Sequence, residues 1–158
     1  MTTDKFIFFW GGTYSQWCPS PFTIDGVEYN CTEQYMMAKK ALLFEDEEAH
    51  RKIMSTRLPY EQKAYGRKVK GFDKDKWEAI CKDVVYEANL AKFTQNPEMK
   101  AELIASGKRE IVEASPEDKI WGIGMHETHP DILDKSKWQG TNWLGEAIMK
   151  VRTTILNS

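Results

Sequence analysis

The stretch CTEQYMMAKKALLF, residues 31–44, predicts a helix that is buried and nevertheless carries charged side chains. At about 100° per residue, its apolar side chains fall in one arc, and Glu33 and Lys40 lie in the middle of that arc. The arc is formed by Met36, Met37, Ala41, Leu43 and Phe44. Because two helical turns separate Glu33 from Lys40, the two side chains share one helix face.

An acid and a base on a buried face can be interpreted in three ways. They can form a partly buried ion pair, or the lysine can extend along its apolar stem to bring its ammonium to solvent. They can be a scaffold pair that only makes the packing specific. Alternatively, the arc lines a pocket in which a desolvated Lys40 acts as a nucleophile or Schiff-base former while Glu33 moves protons. Spacing alone leaves these interpretations open.

Composition limits the class of protein. The chain has 158 residues, which predicts one domain spanning 1–158, and its net charge of -2 provides no global positive field for nucleic acid or an anionic membrane. Its three cysteines are scattered, as is typical of a reducing cytoplasm. No signal peptide and no apolar run of roughly 20 residues is found, so we expect a cytoplasmic protein that does not enter a membrane.

Local patterns predict the α+β class, as a single mainly helical domain with a small β-sheet. Asp25-Gly26 predicts a hairpin within 22–30, and Thr32 is the expected N-cap of the helix that follows. Further strands are predicted at 6–10 and 109–114. Further helices are predicted at 45–55, 59–69 and 73–93, from Pro97 to a stop at Gly107, and in a terminal segment starting near Asn142.

Two other segments could contribute to a site. EASPEDKIWGIG, residues 113–124, places Glu113, Asp118, Trp121 and Gly122 close together, as either a ribose cradle or a capped turn after an edge strand. QGTNWLGEA, residues 139–147, offers Asn142 as an N-cap, or the amides of a helix start for phosphate. HETH at 126–129 lacks the spacing of a zinc motif, so we expect neither a metal nor a cofactor.

The order of these segments carries a resemblance to a known family. A hairpin followed by TEQYMMAKKALLF, YGRKV, EASPEDKIWGIG and GTNWLGEAIMKVR resembles the NADAR, or YbiA-like, family from about Phe6 to Ile155. The resemblance implies an N-glycosidase. Family members are reported to act on phosphoribosylamino-pyrimidine intermediates of riboflavin synthesis, or to remove ADP-ribose attached to guanine in DNA or RNA.

The resemblance also implies roles for particular residues. The family's acid, aromatic and lysine fall on Glu33, Tyr35 and Lys40, which makes Lys40 the expected Schiff-base nucleophile and Lys39 the less favoured candidate. Carboxylates, Glu33 and Asp118, would move protons. The remaining expected ligand contacts are Arg67 after Gly66, for phosphate, and then Glu113, Trp121, Gly122 and Asn142. Trp10 is a further candidate contact for a different reason: it is a tryptophan next to glycine in loop-like sequence, which can line a binding surface or fill a core edge.

Two departures from the family pattern and one rival function stay open. Gln34 stands where histidine is common, and the 126–139 segment is longer than in the shortest members, which can reshape substrate choice. The rival is a module that binds ADP-ribose or a nucleotide without cleaving it. Lys63, Arg67, Lys68 and Lys70 could form a local patch for nucleic acid or a solvated helix face. The sequence makes no prediction of oligomeric state.

Overall fold

The computed structural model describes residues 1–158. Its strands are β1 (Phe6–Phe9), β2 (Phe22–Ile24), β3 (Val27–Tyr29) and β4 (Glu110–Glu113). Its helices are α1 (Thr32–Leu43), α2 (Glu47–Ser55), α3 (Pro59–Arg67), α4 (Lys74–Gln95), α5 (Pro97–Ala105) and α6 (Trp143–Leu156), with a 3₁₀ turn at Lys135–Lys137. About 49% of the residues are helical, which confirms the mainly helical α+β class.

The chain divides into two compact units. The helical unit comprises Gln16–Pro97, and the sheet unit comprises Met1–Ser15 together with Glu98–Ser158. The prediction of one domain stays a prediction. None of the helices has the length and apolarity needed to span a bilayer.

In the helical unit, β2 and β3 form the predicted antiparallel hairpin. The backbone of its turn has positive φ at both Asp25 (51°) and Gly26 (80°), the conformation that Asp-Gly supplies at low cost. The hairpin leads directly into α1. Thr32 is not the N-cap that we expected, because Cys31 occupies that position without a side-chain bond and the Thr32 hydroxyl donates to the Gln16 carbonyl.

Helix α1 is the centre of the helical unit, in contact with α2, α3, α4 and β3. Because partners surround it, every residue from Thr32 to Ala38 is buried, and Tyr35, opposite the predicted arc, is only 1% exposed. The prediction that α1 buries only one apolar face was therefore wrong in detail. Leu43 and Phe44, which belong to that face, are only partly buried. Gly66 permits α3 to lie close to α1, since a Cβ there would overlap the Met37 sulfur.

In the sheet unit, β1 and β4 pair in parallel, with Phe6 opposite Glu110 and Phe9 opposite Glu113. Helix α6 packs on β4. A buried apolar cluster formed by Phe8, Val112, Ala114, Ile123, Met125 and Ile132 anchors the sheet and the segment that follows β4. Ala114 and Ile123 of this cluster flank the backbone that contains Asp118 and Trp121, which belongs to a predicted site segment.

Candidate active site

Glu33 and Lys40 lie at opposite ends of α1, and their environments differ. Glu33 is in the first turn, is only 4% exposed, and its backbone N–H donates to the Gln16 carbonyl at 3.0 Å. Lys40 is in the last turn and is partly buried. Lys40 takes part in none of the ion pairs of the structure. The interpretation of this pair as a simple buried salt bridge is therefore not supported.

Burial and two charged neighbours set the charge state of Lys40. Burial lowers the pKa of its ammonium below the usual range; the Glu33 carboxylate opposes this effect, and the Arg67 guanidinium adds to it. The Nζ atom lies 4.7 Å from the centroid of the Phe72 ring. A lower pKa increases the fraction of neutral amine at a given pH, and only the neutral amine is nucleophilic. The predicted nucleophile thus occupies a site that favours its reactive form.

The neighbouring lysine and tyrosine of α1 have a different environment. The Lys39 Nζ lies 5.4 Å from the centroid of the Tyr35 ring. The Tyr35 hydroxyl donates to Glu87 at 2.9 Å, and burial, reinforced by that carboxylate, raises the pKa of the phenol. Tyr35 therefore has a structural position with its hydroxyl already engaged, and its expected contact with a ligand stays a prediction.

Two exposed aromatic residues beside the Glu33–Lys40 pair were not among the predicted site residues. The Trp17 indole is 43% exposed and its N–H donates to the Glu33 carboxylate at 3.4 Å, while the Lys63 Nζ lies 5.8 Å from its ring. Phe72 is 47% exposed. Both residues are large apolar side chains in loops. For Trp17, a tryptophan in loop-like sequence could have indicated a binding surface, although the same pattern is also typical of a residue at the edge of the core.

A buried lysine on α4 was also missed. Lys92 is fully buried at 0% exposure. Burial raises the pKa of the Cys31 thiol to about 11; the Glu33 carboxylate adds to the rise, and the Lys92 ammonium opposes it. The two charges therefore act on the same buried thiol. The helical period could have predicted this burial, because Lys92 follows buried Ala88 by four residues and so lies on the same face of α4.

Gln34, which stands where the family often has histidine, has a structural role. It is buried, its carbonyl oxygen accepts from the Asn30 backbone N–H at 2.8 Å, and its amide donates to the Ile53 carbonyl at 3.2 Å. Both ends of the side chain thus connect α1 to its neighbours.

In the sheet unit, the predicted segment 113–124 folds into a compact turn. One carboxylate oxygen of Asp118 accepts from the backbone N–H groups of Ile120 (2.9 Å) and Trp121 (2.8 Å). A Cβ on Gly122 would lie 2.9 Å from both the carbonyl oxygen and a carboxylate oxygen of Glu113. The Trp121 ring packs edge-on against Trp143 at 5.6 Å. The structure thus brings Glu113, Asp118, Trp121 and Gly122 together, as predicted.

Asn142 also contacts Glu113 of this segment, but through side-chain hydrogen bonds that were not predicted. It occupies the N-cap position of α6 in the left-handed conformation, with φ 52° and ψ 40°, and makes no side-chain cap bond. Instead its side-chain oxygen accepts from the Glu113 N–H, and its amide donates to the Ile111 carbonyl, both at 3.0 Å. The side-chain capping that we expected is therefore replaced by a bridge to β4.

The last predicted contact, Trp10, is 47% exposed and its ring meets His126 edge-on at 5.6 Å. His126 and His129 accept from nearby backbone N–H groups within their own surface turn. The structure contains no group of three histidine, cysteine or acidic side chains that could hold a metal ion. Arg67, the expected phosphate contact, lies exposed at the end of α3 in the helical unit.

Comparison with known proteins defines the class to which this fold and these residues belong. The NADAR domain model matches residues 8–156, so the chain belongs to the NADAR family. The chain is 42% identical to the mimivirus protein named N-glycosidase R617, over 96% of this chain and 97% of that protein. It is 29% identical to N-glycosidase YbiA of Escherichia coli, over 89% of this chain and 79% of that protein.

Two further matches agree with this assignment. Protein irg-1 of Caenorhabditis elegans is 36% identical over 95% of this chain and 79% of its own length. The NMR structure of E. coli YbiA superposes with a TM-score of 0.80 at 26% identity, covering 99% of this chain and 88% of that one. The resemblance inferred from the sequence motifs is thus confirmed, and the fold is the YbiA fold.

Proposed function

We propose that this protein is an N-glycosidase that hydrolyses the bond between a base-side nitrogen and C1′ of a phosphorylated ribose. The observation that carries the proposal is the partly buried Lys40 amine, with a lowered pKa, in electrostatic contact with buried Glu33. The names of the mimivirus and E. coli relatives, both N-glycosidases, support the same reaction class.

The proposed reaction has two steps. Glu33 accepts a proton from the Lys40 ammonium. The neutral amine then forms a bond to C1′ while the C1′–N bond breaks, and Glu33 delivers that proton to the departing nitrogen. One proton of Nζ passes through Glu33 to the ring oxygen as the sugar ring opens, which leaves a Schiff base protonated at the Lys40 Nζ. Water then adds to C1′, the C1′–Nζ bond breaks, and the products are the base, the free sugar phosphate and the regenerated lysine.

The expected binding roles follow the family pattern. Arg67 is exposed and would meet a phosphate, and Tyr35 would contribute to the pocket wall. In the sheet unit, Asp118 would assist proton transfer through a carboxylate that already accepts two backbone N–H bonds. Glu113, Trp121, Gly122 and Asn142 would contact ligand. These roles are proposed from the resemblance, and that of Trp10 from its exposed position in a loop.

Two substrates fit this chemistry: ADP-ribose linked to guanine in DNA or RNA, and a phosphoribosylamino-pyrimidine of riboflavin synthesis. Both have a nitrogen on C1′ of a phosphorylated ribose. The net charge of -2 is compatible with a free metabolite. A base on a nucleic acid requires only local cations, which Lys63, Arg67, Lys68 and Lys70 of the helical unit could supply.

The test compares both substrates directly. Release of base from ADP-ribosylated guanine in single-stranded DNA and from the pyrimidine intermediate is followed by chromatography, with the Lys40→Ala protein as control. We expect the wild type to release base from at least one of them. Sodium borohydride added during turnover should reduce the Schiff base and leave a sugar adduct on the Lys40 peptide, detected by mass spectrometry.

The same experiment distinguishes the rival function. A protein that only binds ADP-ribose or a nucleotide would retain the ligand, release no base and form no adduct. That outcome, with tight binding measured by calorimetry, would replace the glycosidase proposal by a binding module. An adduct on Lys39 instead of Lys40 would keep the reaction but correct the nucleophile.

A further inference from the structure

The contact between Phe72 and Lys40 has features that packing alone does not require. Phe72 lies in the segment between α3 and α4, directly after Gly71, whose φ is +76°. Its ring is 47% exposed, so it is not a core residue. One edge of the exposed ring system is supported by Phe44, with ring centroids 5.5 Å apart at 61°. The ring is thus held in place while much of its surface faces solvent.

The position of the ring relative to Nζ defines what it can do. The distance of 4.7 Å from the Lys40 Nζ to the ring centroid is within the range of a cation–π contact. The face of an aromatic ring is electronegative and attracts a positive charge in this geometry. A carbon atom bonded to the Lys40 Nζ in this position is one bond length from the atom that contacts the ring.

The proposed reaction places positive charge at this point twice. Cleavage of a glycosidic bond proceeds through a transition state in which C1′ carries oxocarbenium character. The Schiff base that follows is protonated at Nζ. The Arg67 guanidinium close to Lys40 makes any such cation less favourable, and Glu33 is the charged neighbour that opposes this effect. A neutral ring can stabilise the cation without competing for its proton.

Building on the proposed glycosidase function, we propose that Phe72 is a further catalytic residue, whose ring face stabilises the positive charge that develops at C1′ and then at the Lys40 Nζ. The resting contact of the ring with the ammonium is the same interaction, present before substrate binds. The amine that attacks C1′ is neutral and gains nothing from the ring, so the ring stabilises the transition state more than the reacting complex and acts on kcat more than on KM.

The test replaces Phe72 by mono-, di- and trifluorinated phenylalanine, introduced by amber suppression. Fluorine withdraws electron density from the ring face while its size and burial stay close to those of phenylalanine. At a pH high enough for the Lys40 amine to be neutral in every variant, we expect kcat to fall stepwise with each fluorine, by roughly 2- to 30-fold across the series, with little change in KM. A kcat that is constant across the series would overturn the proposal.

A second readout does not depend on activity. The pKa of Lys40 is measured in the same proteins by NMR of its labelled side chain, with no substrate present. We expect this pKa to fall stepwise with fluorination, because the ring stabilises the ammonium less. The matched control is the same series at Tyr65, whose ring centroid lies 5.9 Å from the Lys52 Nζ in the same unit. There we expect no change in kcat or in the pKa of Lys40.

The two readouts separate the two hypotheses. If base is released and both readouts follow fluorination at Phe72 but not at Tyr65, the role of Phe72 is supported. If base is released and kcat ignores fluorination, the glycosidase function stands and the catalytic role of Phe72 is refuted. If no substrate releases base, while the pKa of Lys40 follows fluorination, the ring contact stands and both the glycosidase function and the catalytic role are refuted.

Discussion

The two units hold their polar side chains in different ways. On α1, the partly buried Lys40 has a shifted pKa and contacts an aromatic ring, and it is in none of the ion pairs. In the sheet unit, the carboxylate of Asp118 and the amide of Asn142 each make two hydrogen bonds with the backbone. The first arrangement leaves an amine available for chemistry, and the second fixes the shape of a turn.

This difference predicts which substitutions change the reaction rate and which change the stability of the fold. Changing Lys40 should alter the reaction rate with little effect on folding, because the side chain makes few specific polar contacts. Changing Asn142 or Gly122 should first lower the free energy of unfolding, because buried backbone groups and close packing depend on them. The predictions below test whether catalytic and structural effects separate in this way.

Replacing Lys40 by methionine should cause the largest effect. The thioether fills the same partly buried volume but cannot attack C1′, so we expect base release to fall by at least about 10³-fold. The measurement is kcat/KM, together with thermal unfolding to show that the fold is kept. Lys39→Met is the matched control on the same helix and should retain nearly full activity. A Lys40→Met protein with wild-type turnover would refute the Schiff-base mechanism.

Asn142→Ala should lower stability strongly. It removes the bonds to Glu113 and Ile111 and leaves a residue with a Cβ in a left-handed conformation, so we expect a loss of about 2–4 kcal/mol. Asn142→Gly loses the same bonds but tolerates the backbone, and should be about 1 kcal/mol more stable than the alanine variant. Urea unfolding measures both. Unchanged stability combined with weaker substrate binding would instead make Asn142 a ligand contact.

Gly122→Ala should have a smaller structural effect. The added methyl would lie 2.9 Å from two oxygens of Glu113 and 3.0 Å from the Asp118 carbonyl, so we expect a loss of about 1–3 kcal/mol. Gly11→Ala is the control in the same unit, because a Cβ there meets nothing within 4 Å. Thermal unfolding of the two variants tests the contrast, and equal melting temperatures would show that the turn can open at low cost.

The sequence could predict the features that depend on neighbouring residues. Asp25-Gly26 identified the hairpin, because only a few residue pairs accept positive φ at both positions. Glu33 and Lys40 were identified by helical spacing and by the family motif. The hydroxyl of Thr32 and the amide of Asn142 were assigned to caps, but both bond to distant parts of their own units.

Features that depend on distant residues could not be predicted. The pairing of Phe6 with Glu110 joins strands from opposite ends of the chain, and no local pattern specifies it. The burial of α1 on all sides follows from four neighbouring elements, which a helical wheel does not include. The contact of Phe72 with Lys40 has the same origin, since it brings a loop residue to the end of another helix.

Of these substitutions, Arg67→Gln should change kcat least. The direction in which it shifts the pKa of Lys40 tests the electrostatics of the Lys40 site. The Arg67 charge lowers the pKa of Lys40, so removing it should raise that pKa and reduce the neutral amine at a given pH. The rise of kcat with pH, measured at saturating substrate, should therefore shift to higher pH.

Glu33 has the opposite effect on the pKa of Lys40, so Glu33→Gln should lower that pKa. NMR titration can measure this change without turnover.

Arg67→Lys separates the two roles expected of Arg67. Lysine keeps the positive charge, so the dependence of kcat on pH should stay close to that of the wild type. Lysine cannot form the bidentate contact that arginine makes with phosphate, so KM should rise in both variants. If Arg67→Gln leaves the pH dependence unchanged while KM rises, the arginine serves binding alone, and burial must account for the lowered pKa of Lys40 against the opposing charge of Glu33.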